Sequence, residues 1–298
     1  MSRAYDDLTR AARRAFIEGR LEAAAELFER ARLAAGDPVE ADRAFCNRCA
    51  VLVELEAVGS EVSELKRILL RTTDPKTRWM AAYYTALAYD LQGDRDGALN
   101  FSSRALSLAE ALGEAETEAA TANLLGNLAL AASRFEEAEA AYEKALDRYR
   151  LLEEEPAVLM RAQVEDNLGY TRICTDRLAE GIALCERSRD TMRRLGANHY
   201  LPQPLQDLCY GYLLDGRLDA ARTHGEEGLE LAFDIDDRLI VKNLLFLLAE
   251  VAVREGDRFR AKRFLGELAR WYPEIGPSEE IVDLFLSMDL TRVVNLRG

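Results

Sequence analysis

From Leu124 to Tyr149 the apolar and polar positions run with a helical period, break once, and resume the same period. Before the break, Leu124, Leu125, Leu128 and Leu130 lie among small residues, and Gly126 and Ala129 leave room for a neighbouring helix. Ser133 and Arg134 fill the break. After it, Ala138, Ala141, Tyr142, Ala145, Leu146 and Tyr149 recur at i, i+3, i+4 and i+7, one apolar stripe on an amphipathic helix. The stretch predicts a helix, a tight turn and a second helix. One such hairpin cannot bury its apolar face alone, so it needs stacked copies of itself.

The copies are found by their turns. Gly19, Gly93, Ser133, Asp176, Gly216 and Gly256 each occupy the break position, and the last five fall 40, 43, 40 and 40 residues apart. Five residues after each mark stand Ala24, Ala98, Ala138, Gly181, Ala221 and Ala261; seven before it stand Ala12, Ala86, Gly126, Gly169, Cys209 and Ala249. Two columns of small residues at fixed offsets are what a close crossing of two helices requires. A further copy is expected over 42–71, with its turn near Ala57 to Ser60 and out of register. Alternation of the strand type is absent, and the prolines stand where helices would meet, so an all-α chain is expected.

With its small-residue columns, the pairs Leu125-Gly126 and Leu168-Gly169, and the late small residues Ala31, Ala105 and Ala145, the chain resembles the tetratricopeptide repeat superfamily from about Ala4 to Pro273. Common repeats of that family are about 34 residues long, so the spacing here is similar to its long-helix variety, found in kinesin light chains, bacterial transcription regulators and peptide-pheromone receptors. The resemblance implies one right-handed superhelical solenoid domain over 1–298, with about seven hairpins over 4–34, 42–71, 78–111, 118–152, 160–195, 201–232 and 237–271. Ser278, Glu279 and Glu280 open a final stripe of Ile281, Leu284, Phe285 and Met288, which predicts a capping helix over 278–294. Ser102, Cys185 and Gly225 replace a bulky residue of the family pattern, so looser packing is expected at those second helices. The segment Gly196 to Pro204, with two prolines, reads as the most loop-like of the chain.

Charge narrows the partners. The formal net charge is -14 and the pI about 4.8; such a chain repels phosphate overall, and nucleic acid is not an expected partner. Acids crowd the stretch from Asp96 to Glu155, with Glu136, Glu137, Glu139 and Glu143 on one second helix, which reads as a solvated outer face. No apolar run is long enough for a membrane helix, the first residues lack a signal-peptide core, and five cysteines without a disulfide spacing fit a reducing compartment. A cytoplasmic protein without membrane contact is expected.

Catalytic chemistry is poorly supplied. His199 and His224 are the two histidines, neither in a metal-ligand spacing, and both read as surface residues. No phosphate-binding or nucleophile-elbow motif occurs. Cys46 and Cys49 form a CxxC with no second pair inside a helical pattern, where packing is the simpler role. No enzyme activity, metal or cofactor is expected.

What remains is the face of the first helices, which the resemblance places on the concave side. Ten before each turn mark come Thr9, Tyr83, Asn123, Asp166, Gln206 and Phe246; six before it come Arg13, Leu87, Asn127, Tyr170, Tyr210 and Glu250. The columns are four apart, hence on one helix face. The expected peptide-binding groove takes Tyr83, Asn123, Asn127, Asp166, Tyr170, Gln206 and Tyr210 from these columns, with Asn243 one turn earlier in the last unit and Asn47 if the second unit turns at Ala57. An asparagine side chain offers one donor group and one acceptor, matching the N–H and C=O of an extended peptide, and tyrosine adds flat apolar area at little entropy cost. The plainer alternative is that these amides are solvated or bond to neighbouring helices. Asp166 argues against the lysine and arginine carboxylate clamp of the superfamily's chaperone-binding members. The resemblance thus implies a non-enzymatic protein-protein interaction scaffold that takes an extended peptide or a partner helix. The alternative is a regulatory peptide sensor of the pheromone-receptor type; because the repeats begin almost at Met1, no DNA-binding domain of its own is expected. Pairing of end hairpins into a homodimer stays open.

Overall fold

The computed structural model describes residues 3–272 together with Asp283, Ser287 and Leu296. Among the described residues there is no strand, and fourteen α-helices follow one another as seven pairs. These are α1 (Arg3–Ile17) with α2 (Leu21–Leu33), α3 (Pro38–Glu54) with α4 (Glu61–Arg71), and α5 (Pro75–Leu91) with α6 (Arg95–Leu112). Then come α7 (Ala115–Ala131) with α8 (Phe135–Tyr149), α9 (Glu155–Cys174) with α10 (Leu178–Leu195), α11 (Pro202–Leu214) with α12 (Leu218–Asp234), and α13 (Arg238–Arg254) with α14 (Arg258–Ala269). The chain divides into two compact units, Met1–Val164 and Glu165–Gly298, with the boundary inside α9. The expected capping helix over 278–294 lies outside the described residues except for Asp283, whose carboxylate is 3.2 Å from the Lys262 ammonium, and Ser287.

Every hairpin turns in the same way, and the backbone explains the turn marks. Gly19, Gly93, Gly216 and Gly256 have φ between +72° and +80°, and Ser133 and Asp176 take +56° and +61°. A left-handed residue just past the helix lets two N–H groups fold back on the last carbonyls. Thus Gly93 N donates to Asp90 O at 2.9 Å, and Asp94 N to Tyr89 O at 2.9 Å. The same pair recurs at Ser133 and Arg134, which donate to Leu130 O and Ala129 O at 2.8 and 2.9 Å. In the second hairpin the left-handed residue is Glu56, at φ +51°, with Ala57 N donating to Leu52 O at 2.8 Å. The turn expected near Ala57 to Ser60 therefore begins at Glu56. Elsewhere the residue after the mark caps the next helix; here the cap is Ser60, so this turn is three residues longer. Asp37, Asp74, Asp94, Asp237 and Asp257 each accept the N–H three residues on and start their helices.

The small columns are close crossings. Ala12, Ala24, Ala86, Ala98, Ala138, Cys209, Ala221 and Ala261 are fully buried. A methyl group added at Gly126 would stand 2.5 Å from the Tyr142 ring, and one at Gly169 2.5 Å from Cys185 Sγ. Cys49, seven before Glu56, falls in the same column and is fully buried. Looser packing at Cys185 and Gly225 does not occur. A methyl group at Gly225 would meet Leu248 at 2.7 Å and Cys209 Sγ at 2.9 Å. Size is traded across the hairpin: glycine faces tyrosine at 126 and 142, whereas the larger Cys209 faces Gly225.

Gly196 to Pro204 is not a loop. Asn198–Tyr200 forms a 3-10 turn and α11 begins at Pro202, because proline lacks only an N–H that the first helical turn leaves unpaired anyway. Tyr200, Leu201 and Pro202 are buried.

Candidate functional site

In the first unit, the first helices α1, α3, α5 and α7 and the start of α9 line one face. A cavity of about 410 Å³ opens there, walled by Arg13, Phe16, Asn47, Tyr84, Glu116 and Glu154. Arg14 Nη1 lies 3.7 Å from Glu155 Oε2, which ties α1 to the start of α9. Of the predicted residues Asn47 lines this cavity, half-buried. Tyr83 does not; its ring stacks on Trp79 at 5.0 Å and packs with the core of α3, α4 and α5. Its neighbour Tyr84 occupies the wall instead. Counted from Glu56, Asn47 is nine before its turn, as Tyr84 is nine before Gly93, so the cavity follows a column one residue away from the expected one. Asn123 is half-buried on α7. Asn127 is held within its own hairpin, for the Tyr142 hydroxyl donates to Asn127 Oδ1 at 2.8 Å. There the plainer reading, an amide bonded to a neighbouring helix, applies.

In the second unit the predicted residues come together. Tyr170 on α9 and Tyr210 on α11 pack with ring centroids 6.2 Å apart. Asn243 on α13 donates to Gln206 Oε1 at 3.0 Å, and Gln206 Nε2 lies 3.3 Å from Asp207 Oδ1. One aromatic and amide strip thus joins three successive first helices. It is not open. Leu296 is 2% exposed, and its N–H donates to the Tyr170 hydroxyl at 3.1 Å while Asn243 Nδ2 donates to its carbonyl at 3.0 Å. Asn243 therefore bridges an amide of the strip and the main chain of the covering residue. Burial raises the Tyr170 phenol above its ordinary value, so it stays neutral and keeps both donor and acceptor capacity.

Asp166, Asp207 and Cys185 form the floor beside this strip, with one ligand atom from each within 4.8 Å of the others and all three buried. The sequence pattern singled out Asp166 but missed Asp207, which follows Gln206 on α11 and is hidden in a buried stretch. A floor with two carboxylates is rich in acceptors and favours a cationic group nearby.

The remaining candidates are packed. Burial pushes the Cys49 thiol up to about 12 and the Cys46 thiol well above its ordinary range. Both sit in the core with Leu65 and Ile68. The histidines are not simply surface residues: His199 lies edge-on to Tyr200 at 5.2 Å, and His224 stacks on Tyr212 at 5.4 Å. No helix among the described residues is long and apolar enough to cross a membrane. Glu136, Glu137 and Glu143 on α8 are exposed.

Residues 79–150 match the family model of the tetratricopeptide repeat. Similar solved structures include NprR in complex with its cognate peptide NprX, at 13% identity and TM-score 0.63, covering 96% of this chain and 84% of that one. BtubC from P. vanneervenii is 17% identical, with TM-score 0.59 over 76% of this chain and 92% of its own. Aspartyl phosphate phosphatase F from Bacillus subtilis is 13% identical, with TM-score 0.58 over 93% and 76%. At these identities the likeness is one of fold. Comparison with curated protein sequences gives no match.

Proposed function

We propose that this chain, whose residues 79–150 match the tetratricopeptide repeat model and whose fold is that of solved repeat proteins, is a non-enzymatic interaction scaffold whose first-helix face in the second unit takes an extended peptide. One observation carries this reading: Tyr170 and Asn243 hold the N–H and the C=O of a single residue, Leu296. That is recognition of main chain, and it places no demand on side-chain identity at the hydrogen-bonded atoms. The protonated core thiols and the histidines held against tyrosine rings support a binding role over catalysis.

A peptide array tests it. Peptides retained by the full chain are expected to lose at least about tenfold in affinity to Asn243→Ala, since a buried main-chain carbonyl left without its donor costs about 1 to 3 kcal/mol. N-methylation of the one amide that meets Tyr170 should do the same. Retention unchanged by both alterations would remove the strip from the binding surface.

The sensor reading has its own support in the strip's reach over α9, α11 and α13, since one bound residue joins helices of three hairpins. A peptide-dependent compaction in solution scattering would favour the sensor; binding without compaction would favour the scaffold.

A further inference from the structure

We infer that the groove between α4 and α6, on the second helices of the first unit, docks an amphipathic partner helix whose leucine-type stripe is flanked by acidic residues. This surface shares no residue with the strip on α9, α11 and α13, so it gives the chain a second and independent contact.

Shape and apolar surface come first. The groove has a volume of about 870 Å³, with Leu69 and Leu70 of α4 on one wall, Leu99 and Leu108 of α6 on the other, and Arg78 and Arg104 among its lining. Leu69 and Leu108 pack against the core of α3 to α6. Leu70 and Leu99 are left 80% and 44% exposed, so the apolar surface continues outward from that core. Along α6 the lining runs from Leu99 to Leu108, about 14 Å at 1.5 Å per residue. Between these leucines stand Ser103 and Ser107, whose hydroxyls donate to Leu99 O at 2.8 Å and Ser103 O at 3.2 Å. Small residues folded back on their own helix leave a notch between two leucines, the form that a ridge of another helix fills.

Charge then selects the occupant. Two arginines line the groove and no acid does, in a chain of net charge -14. Among the described residues neither guanidinium pairs with a carboxylate: Arg78 donates to Thr72 O at 2.9 Å, and Arg104 lies over the Phe101 ring at 5.2 Å. The Lys66 ammonium lies over the same ring at 5.6 Å. The acids of α4 are engaged with other arginines, Glu61 with Arg48 at 3.5 Å and Glu64 with Arg67 and Arg71 at 3.1 and 2.8 Å. Acidic residues beside a leucine stripe would supply the carboxylates that this lining lacks, and a basic helix would be rejected.

The test uses the full chain and a fluorescent helical peptide of about 14 residues, with leucines at i, i+3, i+4 and i+7 and glutamates beside them. In fluorescence anisotropy, Arg104→Glu should bind it at least about tenfold more weakly than the wild type, and Leu70→Ser should do the same through lost apolar contact. The same peptide with lysines for glutamates should bind the wild type at least about tenfold more weakly than the acidic one, and should regain affinity for Arg104→Glu. Both substituted residues are exposed, so circular dichroism should show the fold kept. Asn243→Ala, on the strip of the second unit, should leave this binding unchanged. No binding of the acidic peptide, equal binding by the wild type and both variants, or equal binding of the acidic and basic peptides would overturn the inference. So would two other occupants in place of the peptide: a wild-type dimer in sedimentation that Leu70→Ser dissociates, or binding to phosphatidylserine vesicles alone.

Discussion

At the residue scale the fold turns on contacts that admit no added atom. Gly126 and Tyr142 illustrate it: the ring fills the space a methyl group would need, and its hydroxyl reaches Asn127. Gly126→Ala is expected to lower stability by about 1 to 3 kcal/mol through overpacking, and Tyr142→Phe by about 1 kcal/mol through the lost hydrogen bond; chemical denaturation checks both. The Gly126 crossing was legible because small residues recur at a fixed offset. The Asn127 bond was not, because sequence spacing places an amide on a helix face without telling what stands opposite. Thiol chemistry gives a second check. Native Cys46 and Cys49, buried and held protonated, should resist a thiol reagent until the chain unfolds, and rapid native labelling of either would contradict their place in the core. His224 gives a third. Burial, and then Arg189, lower its pKa below the ordinary value, so between those two values the unfolded chain binds more protons and stability rises with pH. Acidification through that window should lower the thermal midpoint of the wild type more than that of His224→Phe.

At the scale of the element the recurring unit is a hairpin closed by one left-handed residue. Glycine carries that conformation at no steric cost, whereas a residue with a Cβ is penalised by about 1 to 2 kcal/mol, partly offset by the greater freedom of glycine in the unfolded chain. Ser133→Gly and Asp176→Gly should therefore each stabilise the protein by roughly 0.5 kcal/mol, and Gly93→Ala should destabilise it by about 1 kcal/mol; the midpoint of urea unfolding reads all three. The regular turns were legible from glycine and its substitutes. The turn at Glu56 was displaced in the sequence reading because glutamate is a poor signal for a left-handed residue and the three extra residues broke the spacing. The same displacement hid the cavity column. Once Glu56 is the reference, Asn47 and Tyr84 share one position, and Tyr83 stacks on Trp79. Proline was read too simply between α10 and α11, where it starts a helix instead of marking a loop.

At the scale of the whole molecule, a chain of net charge -14 buries a few of its acids, Asp166, Asp207 and Glu250 among them. The strip's members on α9 and α11 were legible as columns of tyrosine and amide at fixed offsets, and Asn243 on α13 as an amide one turn before its column. Its occupant was not, since no local pattern brings residue 296 to residues 170 and 243. The most direct measurement is amide hydrogen exchange at Leu296 in the full chain, compared with Tyr170→Phe and Asn243→Ala. The structure predicts an amide exchanging at least about tenfold more slowly than in a free peptide, with protection lost in both variants. Exchange at the free-peptide rate in the wild type would contradict the claim that Tyr170 and Asn243 hold the main chain of Leu296.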